Sequence, residues 1–472
     1  MINEAQLYQV LQEKFHFSHF REGQEEIIQQ LLSGKDTLAI LPTGKGKSLC
    51  YQLTGYLLPG TVLVVSPLIS LMEDQVSQLQ KLGEKAVVAL NSNLSQPEKN
   101  WLLQNLASYK FIFISPEMLR QPAVFKKIQQ LQLALFVVDE AHCLSIWGND
   151  FRPEYRQLGG ILQQLNSPLL LALTATATPK VAEDIKQLLF HKSFHLVRES
   201  VERQNISYFV EKTAEKEQRL REILSTVAAP GIIYCSTRKK VEELYQIFSG
   251  EFSIGYYHGG LASGQRRQLQ QQFLAGELTW LLATNAFGMG INKGDIRTII
   301  HYDLPESIEN YLQEIGRAGR DGQASQAILL YKQHDEQVHY YFQKNLREER
   351  QLFSDFLQGE LNIEKTELSE LQQKWLAEAE EVGAATELMQ RLKIHEAEKR
   401  QQLLTVLNYI NEENCRREFL LKHFAEKITK VPEKCCDYHQ SQLLLAEKPA
   451  KPTKLSTENE AWQVILEKIF KE

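Results

Sequence analysis

Short apolar segments alternate with longer amphipathic segments between about residue 30 and residue 335. The apolar segments are rich in β-branched residues and contain few polar ones, which is typical of parallel strands buried on both faces. We predict strands in DTLAIL (36–41), TVLVVS (61–66), KFIFIS (110–115), ALFVVD (134–139), PLLLALT (168–174), GIIYCS (231–236), TWLLAT (279–284), RTIIHYD (297–303) and AILLY (327–331). Because helices that connect parallel strands cover both faces of the sheet, the pattern predicts an α/β fold.

The predicted strands form two groups that are separated near residues 195–215. We therefore predict two parallel-sheet domains in tandem, at residues 1–200 and 201–340. The following segment is rich in Gln, Glu, Lys and Leu and almost free of Gly and Pro, which predicts a small helical domain at 341–445. Residues 446–472 begin with AEKPAKPTK, which is typical of a linker, and end in a short amphipathic segment.

Composition narrows the class of protein further. The chain has 472 residues, of which 43% are hydrophobic and 24% charged, so collagen-like, wholly disordered and disulfide-stapled proteins are excluded. No apolar run reaches the ~18 residues of a membrane helix, and we expect no membrane association. Six cysteines in a chain of this length indicate a reducing, cytoplasmic setting. With a net charge of −6, any nucleic-acid partner must be bound by local basic patches.

A glycine-rich segment follows the first predicted strand and consists of Thr43, Gly44, Lys45, Gly46, Lys47 and Ser48. Glycines in such a turn let backbone N–H groups surround a phosphate at the N-terminus of the next helix. In that arrangement Lys47 reaches the β- and γ-phosphates, and the Ser48 hydroxyl helps to hold Mg²⁺. The strict phosphate-loop pattern fails because Leu41 occupies the position of its first glycine. An ordinary strand–turn–helix with a surface lysine is therefore the alternative.

An acidic pair, Asp139 and Glu140, stands at the end of the fourth predicted strand of the first group or directly after it. The carboxyl ends of parallel strands face the crevice in which such sheets bind ligands. Asp139 can hold Mg²⁺ through water, and Glu140 is placed to polarise an attacking water molecule. A lone acidic pair is usually a solvated loop, but downstream of a phosphate loop it indicates a nucleotide hydrolase.

The segment QEIGRAGR (313–320) in the second domain carries two arginines three residues apart. On a helix Arg317 and Arg320 would share one face. A guanidinium that reaches a transferred γ-phosphoryl group stabilises its charge, and we favour Arg320 for this role, with Arg317 second. The alternatives are a nucleic-acid contact, a carboxylate contact or a contribution to solubility.

These segments, in this order, resemble the RecQ family of superfamily 2 DNA helicases over roughly residues 10–440. Further matching segments are FHFSHFREGQ (15–24), SPLISLMEDQ (66–75), SPEML (115–119), DEAH (139–142), TATAT (174–178), YCSTR (234–238), ATNAFGMGINK (283–293) and YLQEIGRAGRDG (311–322). The resemblance implies two RecA-like domains that bind ATP and Mg²⁺. It also implies that Phe17 and Arg21 stack on adenine, that Gln24 reads the edge of the base, and that Gln313 belongs to the nucleotide site.

An aromatic-rich segment, CLSIWGNDFRPEY (143–155), directly follows the acidic pair and is similar to a loop that marks RecQ enzymes. The resemblance implies that Trp147, Phe151 and Arg152 bind single-stranded DNA and couple it to ATP hydrolysis. Exposed aromatic rings stack on unpaired bases of any identity, and an adjacent arginine can neutralise phosphate. The alternative is that both aromatic residues belong to the core, although the loop-like flanks argue against burial.

RecQ enzymes usually carry a four-cysteine zinc module after the second domain, and the candidates here are Cys415, Cys435, Cys436 and His439. Cys415 and Cys436 match the family's ligands, and His439 replaces a cysteine, which zinc accepts. The remaining family cysteine falls on Glu433. The fourth ligand is therefore either Cys435 or Glu433, or the site has decayed and holds no metal. Cys435 is an awkward ligand beside Cys436, because the side chains of adjacent residues ordinarily diverge.

The resemblance implies an ATP-dependent helicase that moves 3′→5′ on single-stranded DNA, unwinds partly duplex DNA and serves DNA repair or recombination. We expect a nucleoid-associated monomer, with single-strand-binding or recombination proteins as candidate partners. The segment after the cysteines is shorter than the family's winged helix, so a short form is expected. Two alternatives remain: a DNA-stimulated translocase or remodelling module without autonomous unwinding, and an RNA helicase of the DExH type.

Overall fold

The computed structural model describes residues 4–145, 153–287, 293–361, 364–382 and 385–446. Two parallel sheets, each covered by helices, are followed by a helical region. The predicted α/β architecture with a C-terminal helical part is confirmed.

The first sheet contains seven parallel strands in the order β3-β4-β2-β5-β6-β1-β7. Its strands are β1 (Asp36–Ile40), β2 (Thr61–Val65), β3 (Val87–Leu90), β4 (Phe111–Ile114), β5 (Leu133–Val138), β6 (Leu170–Thr174) and β7 (Phe194–Arg198). The helices around it are α1 (Glu4–Phe15), α2 (Gln24–Leu32), α3 (Lys47–Leu57), α4 (Ile69–Lys81), α5 (Gln96–Gln104), α6 (Pro116–Leu119), α7 (Pro122–Ile128), α8 (Pro153–Arg156), α9 (Leu158–Gln164) and α10 (Pro179–Leu189). Apolar side chains form one core on each face of this sheet.

The second sheet contains six parallel strands in the order β10-β11-β9-β12-β13-β8. Its strands are β8 (Ile206–Lys212), β9 (Gly231–Tyr234), β10 (Ile254–Tyr257), β11 (Trp280–Ala283), β12 (Thr298–His301) and β13 (Ser325–Tyr331). Its helices are α11 (Lys216–Thr226), α12 (Arg238–Phe248), α13 (Ser263–Ala275) and α14 (Ile308–Ile315). The carboxyl ends of its parallel strands lie at one edge, as they do in the first sheet.

The helical region contains α15 (Gln337–Gln358), α16 (Glu370–Val382), α17 (Ala385–Asn411) and α18 (Arg416–His423). A small apolar core around Phe353, Trp375 and Leu392 joins the first three of these helices. The C-terminal end of α17 and helix α18 pack instead on the second sheet, where Tyr409 and Phe424 extend its core. No helix among the described residues is long and apolar enough to cross a membrane.

Every predicted strand is present, but β3, β7, β8 and β10 were not predicted. These four are the edge strands of the two sheets, and none is a long run of buried apolar residues. Because β7 and β8 occupy most of 195–215, the connection between the two sheets is confined to residues 199–205.

Helix α17 contacts both sheet domains through neighbouring residues. Glu398 forms an ion pair with Lys180 on α10 of the first domain. Lys399 lies 3.0 Å from Glu306, which precedes α14 in the second domain. The helical region therefore braces the two domains across the cleft between them.

Candidate functional site

The glycine-rich segment forms a tight turn between β1 and α3. Gly44 has φ of 90° and Gly46 has φ of 75°, which is the left-handed region that glycine adopts without strain. A Cβ atom at Gly46 would lie 2.7 Å from Nε2 of Gln24, so a side chain there would displace that amide from its hydrogen bonds. Lys47 and Ser48 open the first turn of α3, where backbone N–H groups have no partner within the helix.

The N-terminal residues Arg21 and Gln24 hold this turn. The buried amide of Gln24 donates from Nε2 to the carbonyl oxygens of Lys45 (2.8 Å) and Gly46 (3.0 Å), and its Oε1 accepts from the backbone N–H of Arg21 (2.9 Å). The guanidinium of Arg21 donates to the carbonyl oxygen of Gly44. The side-chain amide of Gln24 therefore holds the turn through its hydrogen bonds in this structure. Phe17 is exposed to solvent.

The acidic pair faces the same turn from the end of β5. Nζ of Lys47 lies 3.5 Å from Oε1 of Glu140, and both side chains are mostly buried. Burial and the neighbouring Glu140 raise the pKa of Asp139 to about 7. Burial opposes ionisation of Glu140 as well, but Lys47, His142 and Arg317 together outweigh it and lower the pKa of that carboxyl group. A buried carboxyl group with a raised pKa marks a position that a bound cation would stabilise.

A chain of polar contacts extends from the acidic pair to the end of β6. Nδ1 of His142 lies 3.4 Å from Oε2 of Glu140 and 3.0 Å from the hydroxyl of Thr174. The Thr174 hydroxyl also donates to the carbonyl oxygen of Thr176 (3.0 Å). Glu140 adopts left-handed backbone geometry (φ 49°), a costly conformation for a residue with a side chain and one that clusters at functional sites.

Arg317 and Arg320 do not lie on a helix, the setting in which their spacing would place them on one face. Helix α14 ends at Ile315, and both arginines occupy the turns that follow Gly316. This segment, 316–320, is called the arginine turn below. Its residues do not share a helical face, because two glycines in four residues favour turns over a continued helix.

The arginine turn lies directly against the glycine-rich turn. A Cβ atom at Gly44 would be 3.1 Å from Cγ of Arg320, and one at Gly316 would be 3.0 Å from Cβ of Thr43. Burial, together with the nearby charges of Arg317 and Arg203, lowers the pKa of Arg320. Guanidinium groups this crowded in a buried place are favoured by an anion between them. Gln313 is a buried residue of α14, and it shortly precedes the arginine turn in the sequence.

Sequence reasoning missed Arg203, which lies in the connection between the two sheets. Its Nη1 donates to the carbonyl oxygens of Thr43 and Gly316, both at 3.2 Å. Its Nη2 donates to those of Ala318 (3.0 Å) and Gly319 (2.8 Å). No local pattern marks this residue, because its partners are distant in sequence.

Cys415, Cys435, Cys436 and His439 come together at the base of α18, with their ligand atoms all within 4.8 Å of one another. Sγ of Cys415 lies 3.7 Å from that of Cys435 and 3.9 Å from that of Cys436, and Nδ1 of His439 lies 3.3 Å from Sγ of Cys436. A tetrahedral zinc ion separates two sulfur ligands by about 3.8 Å, so the donor set fits zinc. The expectation that adjacent cysteines diverge is wrong here.

Trp147, Phe151 and Arg152 lie outside the described residues, but the flanks of their segment are described. Tyr155 is fully buried and donates from its hydroxyl to the carbonyl oxygen of Asp139 (2.6 Å). On the other flank, the hydroxyl of Ser145 donates to Asp184 on α10. One flank of the aromatic-rich segment is therefore tied directly to the acidic pair.

Comparison with known proteins assigns the chain to a family. The family model described as DEAD/DEAH box helicase matches residues 21–185, the helicase conserved C-terminal domain matches 215–322, and RecQ zinc-binding matches 371–440. A Bacillus subtilis protein named "Probable ATP-dependent DNA helicase RecS" is 40% identical over 99% of this chain and 98% of its own length. The chain belongs to the RecQ family of helicases.

Other RecQ relatives are longer than this chain. The "ATP-dependent DNA helicase RecQ" of Pasteurella multocida is 44% identical over 69% of this chain, and the match spans 52% of its length. The RecQ of Bacillus subtilis is 35% identical over 92% of this chain and 66% of its own length.

Solved structures share the fold at low identity. The helicase MrfA bound to DNA aligns with 72% of this chain and 51% of its own, with a TM-score of 0.59 and 21% identity. Dbp5 of S. cerevisiae, solved with RNA and ADP BeF3, aligns with 71% of this chain and 90% of its own, with a TM-score of 0.57 and 20% identity. The paired parallel-sheet fold of this chain is therefore shared with these two structures.

Proposed function

We propose that this RecQ family member is an ATP-dependent DNA helicase that moves 3′→5′ on single-stranded DNA. The observation that carries the proposal is the approach of Arg320 to Gly44. It brings the arginine turn of one domain to the glycine-rich turn of the other (Thr43–Ser48, the phosphate loop). An ATP molecule bound there would touch both domains at once, so its hydrolysis can be converted into relative domain motion.

Each side chain around this cleft has a role that its chemistry supports. The turn at Thr43–Ser48 would surround the phosphates, and Lys47 would exchange its ion pair with Glu140 for the β- and γ-phosphates. Released from Lys47, the Glu140 carboxylate can orient water for attack. Arg320 would stabilise charge on the transferred phosphoryl group, with Arg317 beside it.

Ser48 and Asp139 fit a magnesium site. Burial and the neighbouring Glu140 raise the pKa of Asp139, and a hydroxyl with a carboxylate is a donor set that Mg²⁺ accepts. When bound, the ion would screen the charge of the phosphates. Adenine would be held by Phe17 and Arg21. Gln24 and Gln313 complete the proposed nucleotide site, with Gln24 acting through the phosphate loop that it already holds.

On the DNA side we assign Trp147, Phe151 and Arg152 to single-strand binding. Base stacking on such aromatic residues is worth about 1–3 kcal/mol per base. The hydroxyl of Tyr155 supports the assignment, since it joins the flank of this segment to Asp139. A shift of the segment on binding DNA would thereby reach the magnesium ligand.

The cysteine cluster is proposed to hold zinc through Cys415, Cys435, Cys436 and His439, because the donor distances fit a tetrahedral site. The hydrogen bond from Cys435 lowers the pKa of the Cys436 thiol, and zinc is bound by thiolates. Such an ion would join the start of α18 to the chain that pairs with β8.

ATP hydrolysis measured with and without single-stranded DNA, alongside unwinding of a 3′-tailed duplex, tests the proposal. We expect strong stimulation and unwinding. Stimulation without unwinding would leave the translocase alternative, and stronger stimulation by a matched RNA strand would replace DNA by RNA as the substrate. We also propose a nucleoid-associated monomer that works in DNA repair or recombination with single-strand-binding proteins.

A further inference from the structure

Arg203 connects two loops that belong to different domains. Its Nη1 donates to the carbonyl oxygen of Thr43 in the phosphate loop and to that of Gly316 in the arginine turn. Its Nη2 adds the carbonyl oxygens of Ala318 and Gly319. One planar guanidinium therefore fixes the backbone of the arginine turn at three points and the phosphate loop at a fourth.

The backbone of Arg203 is itself held from the cysteine-bearing region. Nη1 of Arg417 donates to the carbonyl oxygen of Arg203 (2.9 Å), and its Nη2 donates to that of Ile206 (2.6 Å). The carboxylate of Glu426 accepts from the backbone N–H of Val201 (3.2 Å). Arg417 is fully buried and its guanidinium lies over the ring of Tyr208 at 4.8 Å. The connection at 199–205 is thus held in place by hydrogen bonds from the cysteine-bearing region.

Only arginine can make this set of contacts. The fork of a guanidinium has five donors in one plane and reaches several carbonyl oxygens at once, whereas a lysine ammonium is a compact point donor. Arg203 is also kept near Arg320 despite their like charges. The attraction to four carbonyl dipoles offsets that repulsion, and a phosphate anion between the two loops would offset it further.

We propose that Arg203 is a positioning residue that sets the distance between Arg320 and the phosphate loop. The proposal deepens the proposed function and rests on it, since it takes Thr43–Ser48 to hold the phosphates. Arg203 acts through backbone carbonyls and needs no contact with ATP. Arg320 is expected to stabilise charge mainly in the transition state, so misplacing it lowers kcat more than it raises KM.

The test is steady-state ATP hydrolysis, stimulated by single-stranded DNA, by Arg203→Ala, Arg203→Lys and Arg219→Ala. Displacing a catalytic group by about 1 Å can cost on the order of 100-fold in rate. We expect Arg203→Ala to lower kcat by roughly 10- to 100-fold while KM for ATP changes less than about threefold. Arg203→Lys should recover little of the loss. Arg219, which pairs with Glu211 and Glu222 away from the cleft, is the matched control and should keep full activity.

The double variant R203A/R320A separates positioning from general damage. If Arg203 acts through Arg320, the double variant has the same kcat as Arg320→Ala. Once the Arg320 guanidinium is absent, removing Arg203 can no longer misplace it. Additive losses, an intact kcat in both Arg203 variants, or a loss confined to KM would overturn the proposal. Thermal melting of each variant identifies misfolding, in which case Arg203→Lys carries the comparison. Full activity in Arg320→Ala would instead reject the proposed function.

Discussion

Lys47 and Glu140 form an ion pair in the proposed nucleotide site. The two side chains lie 3.5 Å apart in a mostly buried place, so each neutralises the charge of the other. A buried ion pair that loses one partner leaves an uncompensated charge. We therefore expect the lysine to serve nucleotide binding as well as to balance the charge of Glu140.

Replacing Lys47 by alanine should abolish ATP hydrolysis, with a loss of at least about 100-fold, because the β- and γ-phosphates lose their cation. Binding to single-stranded DNA should persist, since Lys47 is not among the residues proposed to contact the strand. Lys35→Ala, an exposed lysine just before β1, is the control and should behave as wild type. Full hydrolysis in Lys47→Ala would reject the site.

Gly44 and Gly34 form a matched pair for the glycine-rich turn. Both have left-handed φ angles, 90° and 79°, but only Gly44 has a neighbour close to the position of a Cβ atom. Gly34→Ala should cost about 1–2 kcal/mol of stability and leave hydrolysis intact. Gly44→Ala should cost a similar amount and also lower kcat for ATP hydrolysis, because its methyl group pushes against Arg320. Equal kcat values for both variants would contradict this.

At the scale of elements, the strands that fill the sheet centres were predictable and those at its margins were not. β5 and β6 are buried on both faces and read as continuous apolar runs, whereas β7 alternates and lies at an edge. The position of Arg317 and Arg320 in turns, and not on a helix, could not be predicted from their spacing alone. Arg203 could not be predicted, because its partners come from three distant segments.

The cysteine-bearing element gives a test that is independent of catalysis. Atomic absorption of the purified protein should find about one zinc ion per chain in the wild type and in Glu433→Gln, and much less in Cys435→Ser. Glu433 is exposed, and Cys235→Ser controls for loss of a buried thiol elsewhere. Zinc retained in Cys435→Ser but lost in Glu433→Gln would identify Glu433, and not Cys435, as the fourth ligand.

At the scale of the whole molecule, we propose that DNA binding and ATP hydrolysis are coupled through the first domain. We expect Trp147→Ala to keep its basal hydrolysis and to lose most of the stimulation by single-stranded DNA, because stacking on bases would no longer move the segment tied to Asp139. Hydrolysis titrated with a DNA strand measures this. Trp101→Ala, an exposed tryptophan on α5, is the control. Unchanged stimulation in Trp147→Ala would remove the proposed role.

The brace formed by α17 has a consequence for how the protein responds to its surroundings. Glu398 and Lys399 are adjacent, yet they grip opposite domains through pairs that are partly open to solvent. Pairs of this kind contribute about 0–1 kcal/mol each and weaken as counter-ions accumulate. The share of the interdomain contact that α17 supplies is thus comparable to thermal energy, and we expect the ionic strength of the medium to change it.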